Sequence, residues 1–127
     1  DPSLKGQPWC MAFVFWCFRQ AAQQTGLPLQ VPQTASVWRS WEMAQEQGVG
    51  KILSAREARA DPDLVKPGMV FYIDTGGRHT GFVKDIIDGK LVTIEGNTNN
   101  DGSREGYGVF LRSKRRVETI NLGFIEF

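Results

Sequence analysis

The chain is short of the residue types that build metal centres, disulfide frameworks and membrane spans. Its 127 residues include one histidine and two cysteines. A single imidazole with two separated thiols is a poor ligand set, so a metal-dependent hydrolase is disfavoured, and neither metal nor cofactor is expected. The thiols, Cys10 and Cys17, fall on what reads as one helix. At a rise of about 1.5 Å per residue their Cα atoms lie about 10 Å apart, beyond the roughly 7 Å that a disulfide spans. Both are expected as free thiols, with Cys17 in the core. No stretch reaches the roughly 20 apolar residues of a membrane span. The formal net charge is only +1, which gives no general field for nucleic acid. Internal repeats and low-complexity segments are absent as well. Asp1-Pro2 is not a translation start, so residues 1–127 read as one domain processed or excised from a longer chain, and missing targeting signals carry no weight.

The residues present can fill one core: 41% are hydrophobic, with four Trp and eight Phe. A first helix is expected from about Trp9 to Gln24, opened by Pro8 and closed by Gly26 with Pro28 just beyond. Phe13, Val14, Trp16, Cys17 and Phe18 leave it little polar face, which predicts a central helix packed on all sides. A second helix begins near Thr34 or Ser36 and stops at Gly48. A short third begins at Ser54, where Ser54 and Glu57 have capping-box spacing. From Met69 onward the pattern turns to β-prone runs: Met69 to Ile73, His79 to Ile87, Leu91 to Glu95, Tyr107 to Leu111, and about Arg116 to Phe127. Helices first and strands afterwards predict an α+β fold, with N-terminal helices packed on an antiparallel sheet of about five or six strands. The basic cluster Arg112, Lys114, Arg115 and Arg116 reads as a solvated turn between strands.

Three patches carry chemistry. Pro8-Trp9-Cys10-Met11-Ala12-Phe13 sets a cysteine in the first turn of a helix, where unpaired N–H groups and the positive end of the macrodipole favour thiolate over thiol. Gly77-Arg78-His79-Thr80-Gly81 holds the only histidine, at the glycine-flanked entry to an apolar run, and Ile94-Glu95-Gly96-Asn97 closes the next one. An amide carbonyl is a poor electrophile. Attack needs an ionised sulfur, an imidazole that stabilises it and protonates the leaving amine, and a third group that fixes the imidazole's tautomer. Cys10 and His79 suit the first two roles, and Glu95 or Asn97 the third. The backbone N–H of Cys10 is a candidate oxyanion donor.

With these patches in this order, the sequence resembles the CHAP domains, the cysteine, histidine-dependent amidohydrolases/peptidases of the papain-like NlpC-type superfamily. The resemblance implies a papain-like fold, and a peptidoglycan hydrolase cutting an amide at the sugar-peptide junction or within the wall peptide. It implies Glu95 as the orienting residue with Asn97 nearby. Its biological settings would be phage lysin, wall-remodelling enzyme or antibacterial toxin. It would act in the bacterial cell wall or periplasm, as a monomer, with a cognate immunity protein if a toxin. The rival readings are a non-catalytic wall-binding module and a thiol acyltransferase or isopeptidase.

Strand register constrains the site independently of any family. A two-residue Asp88-Gly89 turn pairing Ile87 with Lys90 would set Glu95 on the face away from His79. A three-residue loop with a Gly89 bulge, pairing Ile86 with Lys90, sets both on one face and is therefore expected. Asn97 to Asp101 imitates the opening of a calcium loop, but position twelve is Gly108 where a bidentate glutamate belongs. Trp38 and Trp41, at helical spacing, read as core. Trp9, beside Cys10, is a candidate wall of the substrate site.

Overall fold

The computed structural model describes residues 9–75, 77–97 and 108–127. Helix α1 spans Cys10–Thr25, and Gly26 ends it in the left-handed conformation at φ 75°, bonding back to the Ala22 carbonyl. Pro8, expected to open this helix, lies outside the described residues. Helix α2, Val37–Gln47, starts at the Ser36 cap and ends at left-handed Gly48. Helix α3, Ala55–Ala60, carries the full Ser54–Glu57 capping box. The strands are β1 (Lys51–Ser54), β2 (Val70–Thr75), β3 (Gly77–Ile87), β4 (Lys90–Asn97), β5 (Gly108–Arg116) and β6 (Gly123–Glu126). They form one antiparallel sheet in the order β1-β6-β2-β3-β4-β5. The α+β architecture is the one the sequence pattern predicts.

The sheet separates two apolar cores. Alternation along β2 sends Val70 and Tyr72 to one face, under α1 and α2, and Phe71 and Ile73 to the other, which α3 helps to cover. On the first face the buried Tyr72 hydroxyl meets Ser40 of α2 at 2.8 Å, and its ring packs on Trp41. Helix α1 approaches β4 so closely that a Cβ at Gly96 would lie 2.5 Å from Phe13 Cβ. Glycine at this position is therefore a packing requirement.

Several expectations need correction. Strand β1 lies between α2 and α3, within the stretch read as purely helical; its four residues pair only with β6, near the other end of the chain, so local pattern had little to report. The C-terminal run divides into a 3-10 turn, Val117–Thr119, and β6. Helix α1 is not enclosed on all sides: Cys10, Met11, Phe13 and Val14 are buried, but Trp16 is 56% exposed. The arginine-rich cluster is no turn, because β5 runs on through Arg116.

The β3–β4 connection is also corrected. Ile87 pairs with Lys90, and Asp88 and Gly89 both have positive φ, 53° and 77°. That is the two-residue hairpin turn, not the three-residue loop. The extra residue sits inside β3, where the register shifts between Val83 and Asp85. Val83 and Ile86 both pack into the second core although they are three positions apart, a spacing that only a bulge allows on one face. The bulge restores what the tight turn would have lost. From Phe82↔Ile94, the register carried along both strands sets Gly81 across from Glu95 and His79 across from Asn97.

Candidate active site

Cys10 is the first residue of α1 and is almost fully buried. Trp9, at the N-cap, forms no side-chain cap, and the first turn has no acidic residue. Among the described residues no side chain caps the opening N–H groups of the helix, which can serve an anion that forms at the sulfur or beside it. Cys10 shares a cleft of about 540 Å³ with Ser36, Val37, Asp74, Gly77 and Arg78, so the first turn of α1 abuts the end of the β2–β3 hairpin. Asp74 is held where β6 no longer pairs with β2: its N–H donates to Asn121 Oδ1 at 2.8 Å, and Asn121 Nδ2 donates to its carbonyl at 2.9 Å. Arg78 pairs with Asp74 at 3.1 Å and lies over the half-exposed Trp38 ring.

His79 stands at the start of β3 with its ring against Phe71. Its Nε2 lies 2.6 Å from Glu95 Oε1, which leaves Nδ1 free of Glu95, and Cys10 is near enough to act on the charge of the ring. Burial pulls the imidazole pKa down, but the bonds and charges of Cys10 and Glu95 outweigh it and raise the value above that of a free histidine.

Glu95 has no exposed surface. A lone buried carboxylate would protonate, yet this one is saturated with donors. Oε1 accepts from His79 and, at 3.0 Å, from Arg115 Nη2, while Oε2 accepts from Arg115 Nε and Thr93 Oγ1, each at 2.6 Å. Arg112 Nε is 3.5 Å from Oε1. Burial alone would raise the pKa; the donors reverse this and hold Glu95 well below the usual carboxylate range. Among the described residues no group of three or more His, Cys, Asp or Glu side chains is arranged to hold a metal ion.

The structure therefore bonds His79 to Glu95 and sets Cys10 close enough to influence the ring. The Asn97 side chain and the calcium-like segment after it lie outside the described residues. Trp9 is half-buried with its ring edge-on to Phe13, and it is not among the residues lining the cleft. Trp41 is core as expected, whereas Trp38 is partly exposed beside Arg78 at the cleft. Cys17 is half-buried against the first core, and burial pushes its thiol pKa up. Thr93, Arg112 and Arg115 were invisible to sequence reasoning as partners of the site. The two arginines are three residues apart and should face opposite ways along a regular strand. A register shift between β4 and β5, from Thr93↔Arg112 to Leu91↔Arg115, puts both on the face of Glu95.

A helix-start thiol lies near an imidazole that is bonded to a buried carboxylate, all on an α+β frame. The comparison with protein families agrees: the CHAP domain matches residues 3–97, and the chain belongs to that family, whose members are amidases and peptidases of the peptidoglycan-hydrolase type. No curated protein and no solved structure matches the chain. The matched segment ends at Asn97, so β5 and its arginines lie beyond it.

Proposed function

We propose that this chain cleaves an amide bond of bacterial peptidoglycan, with Cys10 as nucleophile, His79 as its acid-base partner and Glu95 as the carboxylate that orients His79. The observation that carries this reading is the 2.6 Å contact between His79 and the buried carboxylate of Glu95, with Cys10 beside them at a helix start that opens on a cleft. The Cys10 thiolate adds to the amide carbonyl, and the carbonyl oxygen takes up negative charge beside the Cys10 N–H. Collapse of this adduct breaks the C–N bond, and the leaving nitrogen takes its proton from the His79 imidazolium. The acyl group is left as a thioester on the sulfur. Water, deprotonated by the now neutral His79, attacks the thioester, releases a carboxylate and restores the thiolate–imidazolium pair. Glu95 holds one tautomer of the ring throughout. Asn97, across from His79 in the register, is assigned an auxiliary role, and residues 1–127 act as one catalytic domain.

Both an N-acetylmuramoyl-L-alanine amidase and a wall-peptide endopeptidase use this chemistry. Either acts in the cell wall or periplasm. The test is digestion of purified sacculi, with mass spectrometry of the released fragments. Each cut creates one amine and one carboxylate, and their positions name the bond. Folded protein that releases nothing, or a Cys10→Ala variant as active as the parent, would sink the proposal.

A further inference from the structure

We infer that Arg115 is a positioning residue: delivered by the β5 register shift, it locks Glu95 in place and offsets its charge, so that Glu95 and Arg115 act on His79 as one nearly neutral acceptor. The inference rests on the hydrolase reading for its catalytic meaning, but its geometry stands alone. A carboxylate has about four lone-pair sites. Those of Glu95 are taken by Arg115 twice, by Thr93 and by His79, so the group cannot rotate without breaking a buried charge-assisted bond. Arg115 is fixed in turn by its two-pronged contact and by the Phe71 ring, 5.3 Å beneath the guanidinium.

In the thiolate–imidazolium form that the proposed reaction uses, the charges alternate: thiolate, imidazolium, carboxylate, guanidinium. Arg115 weakens the pull of Glu95 on the imidazolium proton while keeping Oε1 aimed at Nε2. Without the Arg115 guanidinium, the buried carboxylate would keep only the longer, partly exposed Arg112 contact at 3.5 Å, the ring would hold its proton more tightly, and it would serve less readily as the base of the second step. Without only the carboxylate charge, His79 would face an uncompensated guanidinium, and the imidazolium would be disfavoured. With both charges absent, the ring would meet a neutral acceptor, as in the Cys-His-Asn sites of papain-like enzymes.

The chain has one histidine, so an NMR titration of its imidazole reports His79 directly and needs no substrate. The ionisable groups facing it are Cys10 from α1, Glu95 from β4, and Arg112 and Arg115 from β5. Relative to the parent, Arg115→Met should raise the His79 midpoint by about half a pH unit or more, and Glu95→Gln should lower it. The double variant should return toward the parent value. Arg115→Lys, which keeps the charge and loses the fork, should leave the midpoint nearer the parent while lowering kcat on sacculi. Glu95→Gln/Arg115→Met should turn over at least about tenfold faster than Glu95→Gln alone, equivalent to about 1.4 kcal/mol.

An Arg115 that merely stiffened β5 would lower the melting temperature and leave the His79 midpoint unchanged. That result, or a double variant no better than Glu95→Gln, overturns the inference. Should Arg115→Met fail to fold, the Arg115→Lys titration and the double variant decide alone. Inert sacculi combined with the expected NMR shifts would sink the hydrolase reading and leave the charge pairing standing.

Discussion

The starts of α1 and α3 are built on opposite plans. At α3 the Ser54 hydroxyl accepts the Glu57 N–H at 3.1 Å and the Glu57 carboxylate accepts the Ser54 N–H at 3.0 Å, so the first turn satisfies itself. At α2 Ser36 does half of this, accepting from Arg39 at 3.1 Å. At α1 the capping position is Trp9, a side chain with no acceptor, and Cys10 follows at once. Two helices close off first-turn donors with side chains and gain stability; the third, among the described residues, has no such side-chain cap and begins with a buried thiol. An omitted cap is thus as informative as a present one, because a helix that gives up about 1 kcal/mol of capping needs another reason for its N-terminus.

The sharpest way to break this contrast is at Cys10 itself. Cys10→Ala removes the nucleophile while changing little volume. We expect wall hydrolysis to fall to background with the melting temperature within a few degrees of the parent. Iodoacetamide should modify Cys10 in step with loss of activity and before Cys17, whose pKa burial has raised. Peptide mapping at partial inactivation checks the order. Modification of Cys17 first, with activity tracking it, would mean that the open helix start does not activate the sulfur.

Next in size is the third member of the chain. Glu95→Gln should reduce kcat by roughly two to four orders of magnitude, as loss of the orienting charge does in related triads. Asn97→Ala should cost less. The reverse ranking would transfer the orienting role to Asn97.

The same network should shape stability against pH. The Glu95 pKa, which burial would raise and its donors bring below its unfolded value of about 4.3, makes a contribution that is fully present above that pH. It is lost as the pH falls toward the folded value. The His79 pKa is raised, with burial opposing and Cys10 and Glu95 prevailing. Its contribution is therefore full below about 6.5 and fades as the pH rises through the folded value. Together they place the maximum from this network between about pH 4.3 and 6.5. Urea unfolding midpoints measured across pH should show both flanks, and Glu95→Gln should flatten the acid one. An unchanged acid flank in that variant would remove Glu95 from the stability argument.

Local signals made much of this legible in sequence. Gly26 and Gly48 marked helix ends, Ser54 with Glu57 marked a helix start, and the order Cys10, His79, Glu95 gave side chains that the fold brings near one another. What escaped was set by pairings distant in sequence and by irregular strands. Nothing in Lys51 to Ser54 announces a partner at residues 123–126. The β3 bulge had a faint trace in the odd spacing of Val83 and Ile86, but Asp88-Gly89 drew attention to the turn instead. Arg115 was lost because a run of arginines looks solvent-facing until its strand is seen to shift register over a buried carboxylate. The glycine of Glu95-Gly96-Asn97 appeared only as part of a motif; its reason, Phe13 pressed against the backbone of β4, requires α1 to be in place.

The smallest expected effect sharpens the comparison from its other side. Ser54→Ala deletes the acceptor for the Glu57 N–H and frees the Glu57 carboxylate from its return bond, at an exposed helix start whose residues do not line the cleft. Loss of such a cap costs about 1 kcal/mol. The urea midpoint should drop accordingly while kcat and KM on sacculi stay at parent values. Adding an acceptor at the other start should act in the opposite sense on chemistry. In Trp9→Ser the hydroxyl would take an N–H of the α1 first turn, compete with the sulfur and the developing oxyanion for the helix donors, and lower kcat. If Trp9→Ser left kcat unchanged while its hydroxyl was shown by crystallography to cap the helix, the open start of α1 would have no catalytic meaning, and the difference between the two helices would reduce to composition.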